Sequence, residues 1–262
     1  MPPQQPSSGN EILEWYRSIP PVTRTLLTLS VTTSVSAAVG LVPPYQLMFL
    51  WPNVSRKLQL WRLVTCFFYS GVDLGYAMNL FFLYRYSAQL ETEVFMGRTA
   101  DYVYFYLITS GLQLAAARLF DLYLLTDGLL MSMAYLWSQH NKETLVTAMF
   151  GFRFKGLYLP WVLLAYDFLA RGGRGLPYAS LAGIAAAHIY YYLTTIHPGR
   201  GGRGYLTTPS FLQRLFPARG VNGNASTGGV YMMGRPQQQR QQQAPTNVFG
   251  GHSWGRGHRL GS

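Results

Sequence analysis

The sequence of 262 residues has a single cysteine, Cys66, and charged residues make up only 12% of it. One cysteine excludes an intrachain disulfide framework and any multi-cysteine zinc or iron–sulfur site. No acidic residue follows Asp167, and the later basic residues are all arginines apart from the histidines. Hydrophobic residues make up 49% and aromatic residues 15% of the chain, a composition that suits a membrane interface. We therefore expect a membrane protein with no metal site and no cofactor.

Apolar sequence is concentrated in six segments between Val22 and His197 and then stops. In a bilayer every backbone N–H and C=O group must be satisfied within the segment, so these runs are expected to be helices. About 20 apolar residues cross a hydrocarbon core of roughly 30 Å, and several segments are shorter, which implies tilt or local bilayer thinning. The predicted fold is all-α, a polytopic six-helix transmembrane bundle. The segments are 22–42, 74–90, 102–117, 122–137, 156–170 and 178–196.

The first 21 residues are predicted to be a cytosolic segment with a helix on the membrane surface. Ser8 and Glu11 have the spacing of a capping box, in which each side chain satisfies a free N–H of the other. Apolar residues at helical spacing follow, and Pro20 and Pro21 end the run. A disordered leader is the alternative.

Lysine and arginine are distributed unevenly between the predicted loops. With six spans both termini share one side of the membrane, and that side carries 14 of the 21 Lys and Arg residues against six on the other. Arg85, within the second segment, completes the total. The positive-inside rule places both termini in the cytosol. The glycosylation sequon at Asn53 would then be luminal and the one at Asn224 cytosolic.

Two blocks near the second segment carry a specific resemblance. Trp61 and Arg62 end a long loop on the non-cytosolic side, and the block Asn79-Leu80-Phe81-Phe82-Leu83-Tyr84-Arg85-Tyr86-Ser87 follows. With the His188-Ile189-Tyr190-Tyr191-Tyr192 run of the sixth segment, these blocks resemble the derlin family, the rhomboid-like proteins of the endoplasmic reticulum. The resemblance covers about Glu14 to Pro198 and implies a rhomboid-like membrane domain over 22–197.

The Trp-Arg pair also has a physical interpretation of its own. A tryptophan ring prefers the headgroup level and a guanidinium group binds phosphate. We expect Trp61 and Arg62 to anchor the loop in the luminal leaflet, either as a specialised membrane contact or as an ordinary interfacial anchor.

The sixth segment contains the residues that we expect to pack helices together. The derlin family usually has Gly-x-x-x-Gly before the histidine, whereas this chain has Gly183 and Ala187. Alanine keeps the small-xxx-small pattern that lets helix backbones approach. Asn79 and His188 are expected to join this packing as polar residues, with His188 buried and bonded between helices.

Catalysis is the alternative that the resemblance raises, because rhomboid proteases use a serine on the fourth helix and a histidine on the sixth. This chain has Ser132 and His188, but the Gly-x-Ser pattern of the proteases is absent and Gly128 lies four residues before Ser132. A nucleophile and its base must approach to about 3 Å, and nothing in the spacing requires this. We predict a pseudoprotease, with an active intramembrane serine protease as the alternative.

A small-solute transporter is a further alternative, since ionisable residues at membrane depth often mark a polar pathway. Asp73, Arg85 and Asp127 lie near predicted helix ends, where snorkelling accounts for them. Asp167 and His188 are the two that qualify as a mid-span pair, which is weak support.

Residues 198–262 form a basic tail rich in glycine, glutamine, arginine and proline, and are predicted to be disordered. An RGG-like stretch begins at Arg200, but a basic flank beside a span also suits the positive-inside rule and anionic lipid, so no nucleic-acid partner is expected. Near 252–261 the tail is similar to the SHP box of some derlins, an aromatic residue, Gly-x-Gly and then Arg-Leu-Gly. The matching residues are Trp254, Gly255, Gly257, Arg259, Leu260 and Gly261.

The resemblance implies a non-catalytic component of endoplasmic-reticulum-associated degradation. Such a protein helps to retrotranslocate misfolded luminal or membrane proteins to the cytosol. The SHP box implies recruitment of the AAA ATPase valosin-containing protein. Further expected partners are misfolded substrates, a ubiquitin ligase complex of the same membrane, the lipid bilayer and other copies of this chain or of its relatives.

Overall fold

The computed structural model describes residues 8–147, 153–173, 175–199 and 206–216. In this part of the chain the structure is mostly helical, with one pair of short strands. The helices are α1 Ser8–Ser18, α2 Pro21–Ala38, α3 Trp51–Lys57, α4 Arg62–Thr65, α5 Leu74–Gln89, α6 Thr99–Phe120, α7 Thr126–His140, α8 Leu159–Ala170, α9 Tyr178–Tyr191, α10 His197–Gly199 and α11 Ser210–Leu215. Short 3₁₀ turns lie at Pro44–Gln46 and Gly156–Tyr158, and π turns extend α5 and α9 at Leu90–Val94 and Tyr192–Ile196.

Each of the six predicted segments corresponds to one longer helix: α2, α5, α6, α7, α8 and α9 in turn. Among the described residues one helix, Thr99–Phe120, is both long and apolar enough to cross a membrane, and Gly156–Ala170 is a shorter apolar helix. Six spans therefore remain a prediction.

Helix α7 lies at the centre of the bundle. It packs against α5, α6, α8 and α9, and its residues from Gly128 to Ala134 are all buried. Its chief neighbour is α9, which also packs on α6. This buried stretch is apolar except for Ser132, as expected of a helix that others surround.

The structure has a helix in the N-terminal region, as predicted, and this helix ends before Pro20 and Pro21. Helix α1 ends at Ser18, and Pro21 begins α2 at the helical position where a missing N–H is tolerated. The residues that precede Ser8 and the side chain of Ser8 lie outside the described part, so the capping box has no structural test.

A strand pair in the loop after α7 departs from the all-α expectation. Leu145–Thr147 (β1) pairs antiparallel with Arg153–Lys155 (β2), with Val146 opposite Phe154. Val146 is buried, and Lys155 Nζ donates to Glu143 Oε2 at 2.8 Å. This hydrogen bond and the charge of Glu143 raise the pKa of Lys155.

The beginning of the predicted disordered tail is partly ordered, which corrects that expectation. Helix α11 packs on α6, where Leu212 is buried and Thr208 Oγ1 donates to Asp101 Oδ1 at 2.6 Å. Leu212 supplies the apolar contact that holds α11 in place. The SHP-box residues Trp254 to Gly261 lie outside the described residues.

Candidate functional site

A close helix contact lies where α7 crosses α9. A Cβ atom on Gly183 would collide with the backbone carbonyl of Gly128, and a Cβ atom on Gly128 would lie 2.7 Å from the carbonyl oxygen of Ala179. Backbone therefore meets backbone at this crossing, as small residues in membrane helices permit. Ala187, one turn after Gly183, is completely buried.

The two side chains at the positions of a rhomboid catalytic pair have different partners. Ser132 is fully buried, and its hydroxyl donates to the carbonyl oxygen of Leu129 in its own helix at 2.7 Å. His188 Nδ1 lies 2.6 Å from the hydroxyl of Tyr135, which forms a hydrogen bond between α9 and α7. The expected bond between helices is present, but the expected burial is wrong, because the His188 side chain is exposed. The hydroxyl of Ser132 is not hydrogen-bonded to a base that would make it a nucleophile.

A polar cavity of about 220 Å³ lies between α5, α7 and α8. Arg171, directly after α8, bridges two carboxylates: its Nη2 is 2.5 Å from Asp127 Oδ2, and its Nε is 2.8 Å from Asp167 Oδ1. Ser180 at the start of α9 donates to the other oxygen of Asp167, and Asn79 on α5 donates to Asp127 at 3.4 Å. Arg171 thereby joins α7 to α8 through charged hydrogen bonds, and Asn79 and Ser180 extend the cluster to α5 and α9.

This cluster changes two expectations about charge. The sequence explains Asp127 by snorkelling at a helix end and offers Asp167 with His188 only as weak support for a transporter, whereas in the structure both carboxylates bind Arg171. Burial acts to lower the pKa of Arg171, but the hydrogen bonds and charges of Asp167 and Asp127 outweigh it and raise the pKa. The i,i+4 spacing of Asp167 and Arg171 is the sequence signal that could have revealed half of the cluster. Asp127 lies 44 residues before Arg171, and no local sequence pattern connects the two.

The Trp61–Arg62 pair is divided between two environments. The Trp61 side chain is 53% exposed, as an interfacial anchor requires, whereas Arg62 is 1% exposed. Arg62 Nη1 donates to the carbonyl oxygens of Tyr45 and Met48 at 2.5 and 2.8 Å, and Nε donates to Gln59 Oε1 at 2.6 Å. The expectation that Arg62 contacts lipid phosphate is wrong. Its guanidinium holds the loop between α2 and α5 in one shape by binding the loop's own acceptors.

Glu91 is a functional-site candidate that sequence reasoning missed. Its carboxylate is buried and accepts hydrogen bonds from the backbone N–H groups of Val22 and Thr23, at 3.0 and 2.8 Å, and from the Thr23 hydroxyl. The first N–H groups of a helix lack partners within it, and the helix dipole favours an anion there. Glu91 therefore fixes the start of α2 against the end of α5. Ser87 continues this polar contact by hydrogen bonding to Thr23 and to Tyr102 of α6.

The fold and these contacts define a helical bundle that is tied together by small residues and buried polar clusters. The Der1-like family model matches residues 19–210. The chain is 39% identical to human Derlin-1 over 259 residues, which covers 96% of this chain and 99% of the relative. It is 36% identical to Derlin-1 of Drosophila melanogaster, with 94% and 97% covered, and 36% identical to Derlin-2 of Oryza sativa subsp. japonica, with 78% and 85% covered.

The chain belongs to the Der1-like family. This family takes part in endoplasmic-reticulum-associated degradation, and its derlin members are membrane proteins. The predicted resemblance to derlins is therefore confirmed.

Proposed function

We propose that this chain is a non-catalytic component of the degradation pathway of the endoplasmic reticulum. It helps misfolded luminal or membrane proteins to reach the cytosol and recruits valosin-containing protein through its SHP box. The observation that carries the non-catalytic part is the separate bonding of Ser132 and His188. In this proposal a ubiquitin ligase complex of the same membrane attaches ubiquitin to the substrates.

The shortness of one helix supports a role in moving polar chain through the bilayer. Helix α8 has 12 residues, which at 1.5 Å per residue correspond to about 18 Å, and the 3₁₀ turn Gly156–Tyr158 before it adds about 6 Å. Helix α6, with 22 residues, reaches about 33 Å. A hydrocarbon core of roughly 30 Å is thicker than α8 is long, and local thinning of the bilayer would match the two. A thinner core lowers the barrier for polar segments that leave the membrane.

The proposed topology places both termini in the cytosol, with α2 and α5 to α9 as the six spans. Asn224, in the tail, should then never be glycosylated in cells, whereas Asn53 lies on the luminal side in α3. A glycan on Asn224, detected as a mobility shift that endoglycosidase H removes, would contradict this orientation. An added sequon at a solvated luminal position serves as the positive control.

Recruitment of the ATPase has a direct test. Loss of an apolar anchor at a small interface commonly costs about 2 kcal/mol, which is roughly thirtyfold in affinity. Trp254→Ala, Leu260→Ala or deletion from Trp254 onward should each remove valosin-containing protein from the complex purified in detergent. The paired change Arg200→Ala and Arg203→Ala is the matched control and should leave capture intact. Undiminished capture after the deletion would refute recruitment by this box.

The non-catalytic part is tested separately. Ser132→Ala should leave degradation of a membrane substrate unchanged, because the hydroxyl only caps a carbonyl of its own helix. Site-specific cleavage of a reporter transmembrane segment that disappears in Ser132→Ala would establish the protease alternative.

A further inference from the structure

An apolar groove of about 550 Å³ lies between α1, α2 and α5, apart from the polar cavity described above. Its volume falls within the range of small-molecule sites. Its walls are almost entirely apolar and come from three helices. The lining residues used below are Trp15, Tyr16, Thr28, Val31, Phe81 and Tyr84.

Contacts between the helices fix the shape of the groove, and its walls remain exposed. The Trp15 and Tyr84 rings lie 6.1 Å apart across it, and the Tyr16 hydroxyl is hydrogen-bonded to Thr28 Oγ1 at 2.7 Å. These contacts hold α1 against α2 and α5. Val31 and Phe81 nevertheless remain 42% and 48% exposed, so the walls are available to an apolar occupant.

The groove runs from the predicted membrane surface into the bilayer. Glu91 holds the start of α2 beside the end of α5. The first residues of α2 and the last residues of α5 are therefore expected at the same depth in the membrane. Tyr16 of α1 lies near that level, whereas Val31 on α2 and Phe81 on α5 are further along both helices, toward the middle of the membrane. Tryptophan and tyrosine at the headgroup level, with wholly apolar side chains beneath, are the usual order at an interface.

The shallow end of the groove carries positive charge. The Arg24 guanidinium lies 5.6 Å from the centre of the Tyr16 ring, Arg17 is in the last turn of α1, and Arg85 follows Tyr84. Glu14, one turn before Arg17 on α1, and Glu93, in the turn that extends α5, are exposed carboxylates near this level, whereas the carboxylate of Glu91 is buried and occupied by α2, so the three arginines outnumber the exposed carboxylates. Arginine binds phosphate through its planar fork of donors.

We propose that this groove binds an acyl chain of an anionic glycerophospholipid, with the lipid phosphate beside Arg24 and Arg17. An occupant that is apolar along its length and anionic at its shallow end satisfies the walls and the charge together. The inference rests on the proposed membrane placement of α2 and α5, but not on ATPase recruitment. A negative result for ATPase recruitment therefore does not affect the lipid proposal, and a negative result for lipid binding does not affect ATPase recruitment.

Quenching of tryptophan fluorescence by brominated lipid tests the proposal, because bromine quenches on contact and Trp15 lines the groove. The full chain is placed in phosphatidylcholine nanodiscs that contain a few mole per cent of phosphatidylserine with a dibrominated acyl chain. The comparison lipid is phosphatidylcholine with the same brominated chain. The contribution of Trp15 is the difference between the wild type and Trp15→Phe.

Trp15 should be quenched more by the brominated anionic lipid than by the brominated phosphatidylcholine at equal mole fraction. An arginine beside an anionic headgroup changes partitioning by roughly fivefold, so Arg24→Gln should reduce the preference by about that factor. Arg56→Gln, on α3 at the other predicted surface, is the charge-matched control and should leave the preference unchanged. Val31→Phe should reduce quenching by both lipids because it fills the groove. Val35→Phe, one turn further on α2 and outside the lining, should not.

Equal quenching by the two lipids, unchanged in Arg24→Gln, would overturn the proposal. So would protection of Trp15 from both brominated lipids, which would indicate that a protein segment covers the groove. Arg24→Gln alters a partly exposed side chain, so this comparison holds even if Val31→Phe fails to fold.

Discussion

Replacement of Arg62 by alanine should destabilise the folded chain even when no phospholipid is present. The change leaves the carbonyl oxygens of Tyr45 and Met48 without their donor. A buried acceptor without a partner costs about 1–3 kcal/mol, and these two acceptors are only part-buried, so we expect a combined loss of about 1–3 kcal/mol in the free energy of unfolding. Gln59 adds little, because its side chain is only partly buried and can turn toward water. Domains commonly have roughly 5–15 kcal/mol of stability, so the loss should be easy to measure.

The assay is unfolding by sodium dodecyl sulfate in mixed micelles with dodecyl maltoside, followed by circular dichroism. Arg62→Lys should lie between the wild type and Arg62→Ala, because an ammonium group keeps the charge but not the planar arrangement of donors. Trp61→Ala is the matched control. It changes the adjacent, half-exposed residue and should shift the unfolding free energy by less than about 0.5 kcal/mol in detergent.

One result would contradict the prediction that Arg62 acts through its internal hydrogen bonds. If Arg62→Ala unfolds like the wild type in detergent and loses stability only in phospholipid bilayers, the guanidinium acts on lipid phosphate and the internal bonds contribute little.

Three further outcomes follow from single contacts. Burial raises the pKa of the Cys66 thiol to about 12, so a maleimide near neutral pH should label the chain only after unfolding, and rapid labelling of the native chain would contradict this. Gly183→Ala places a methyl group against the backbone of α7 and should cost at least about 1–3 kcal/mol in the same unfolding assay, whereas Ala185→Val on the exposed side of α9 should cost little. Arg171→Ala should cost about 1 kcal/mol, and adding Asp127→Asn should restore part of it; purely additive losses would show that the two do not interact.

The helical segments are determined by the sequence itself. Long apolar runs require helices, and Pro20 and Pro21 set a boundary that the structure reproduces between α1 and α2. The resemblance to derlins also follows from residue order alone, because separated blocks around Trp61, Asn79 and His188 occur in the family's sequence. Small residues at Gly183 and Ala187 indicated a close helix contact, although the pattern did not name its partner.

The surroundings of each polar side chain were decided by the tertiary structure. Arg62 looks like a membrane anchor beside Trp61, yet its acceptors lie 14 and 17 residues earlier in a loop that folds back over it. Glu91 caps a helix that begins almost 70 residues before it. Periodicity describes one helix at a time, so it shows which face is apolar but not which element covers that face. Whether an ionisable group meets lipid, water or a buried carbonyl depends on how distant segments pack, and that information is absent from any local pattern.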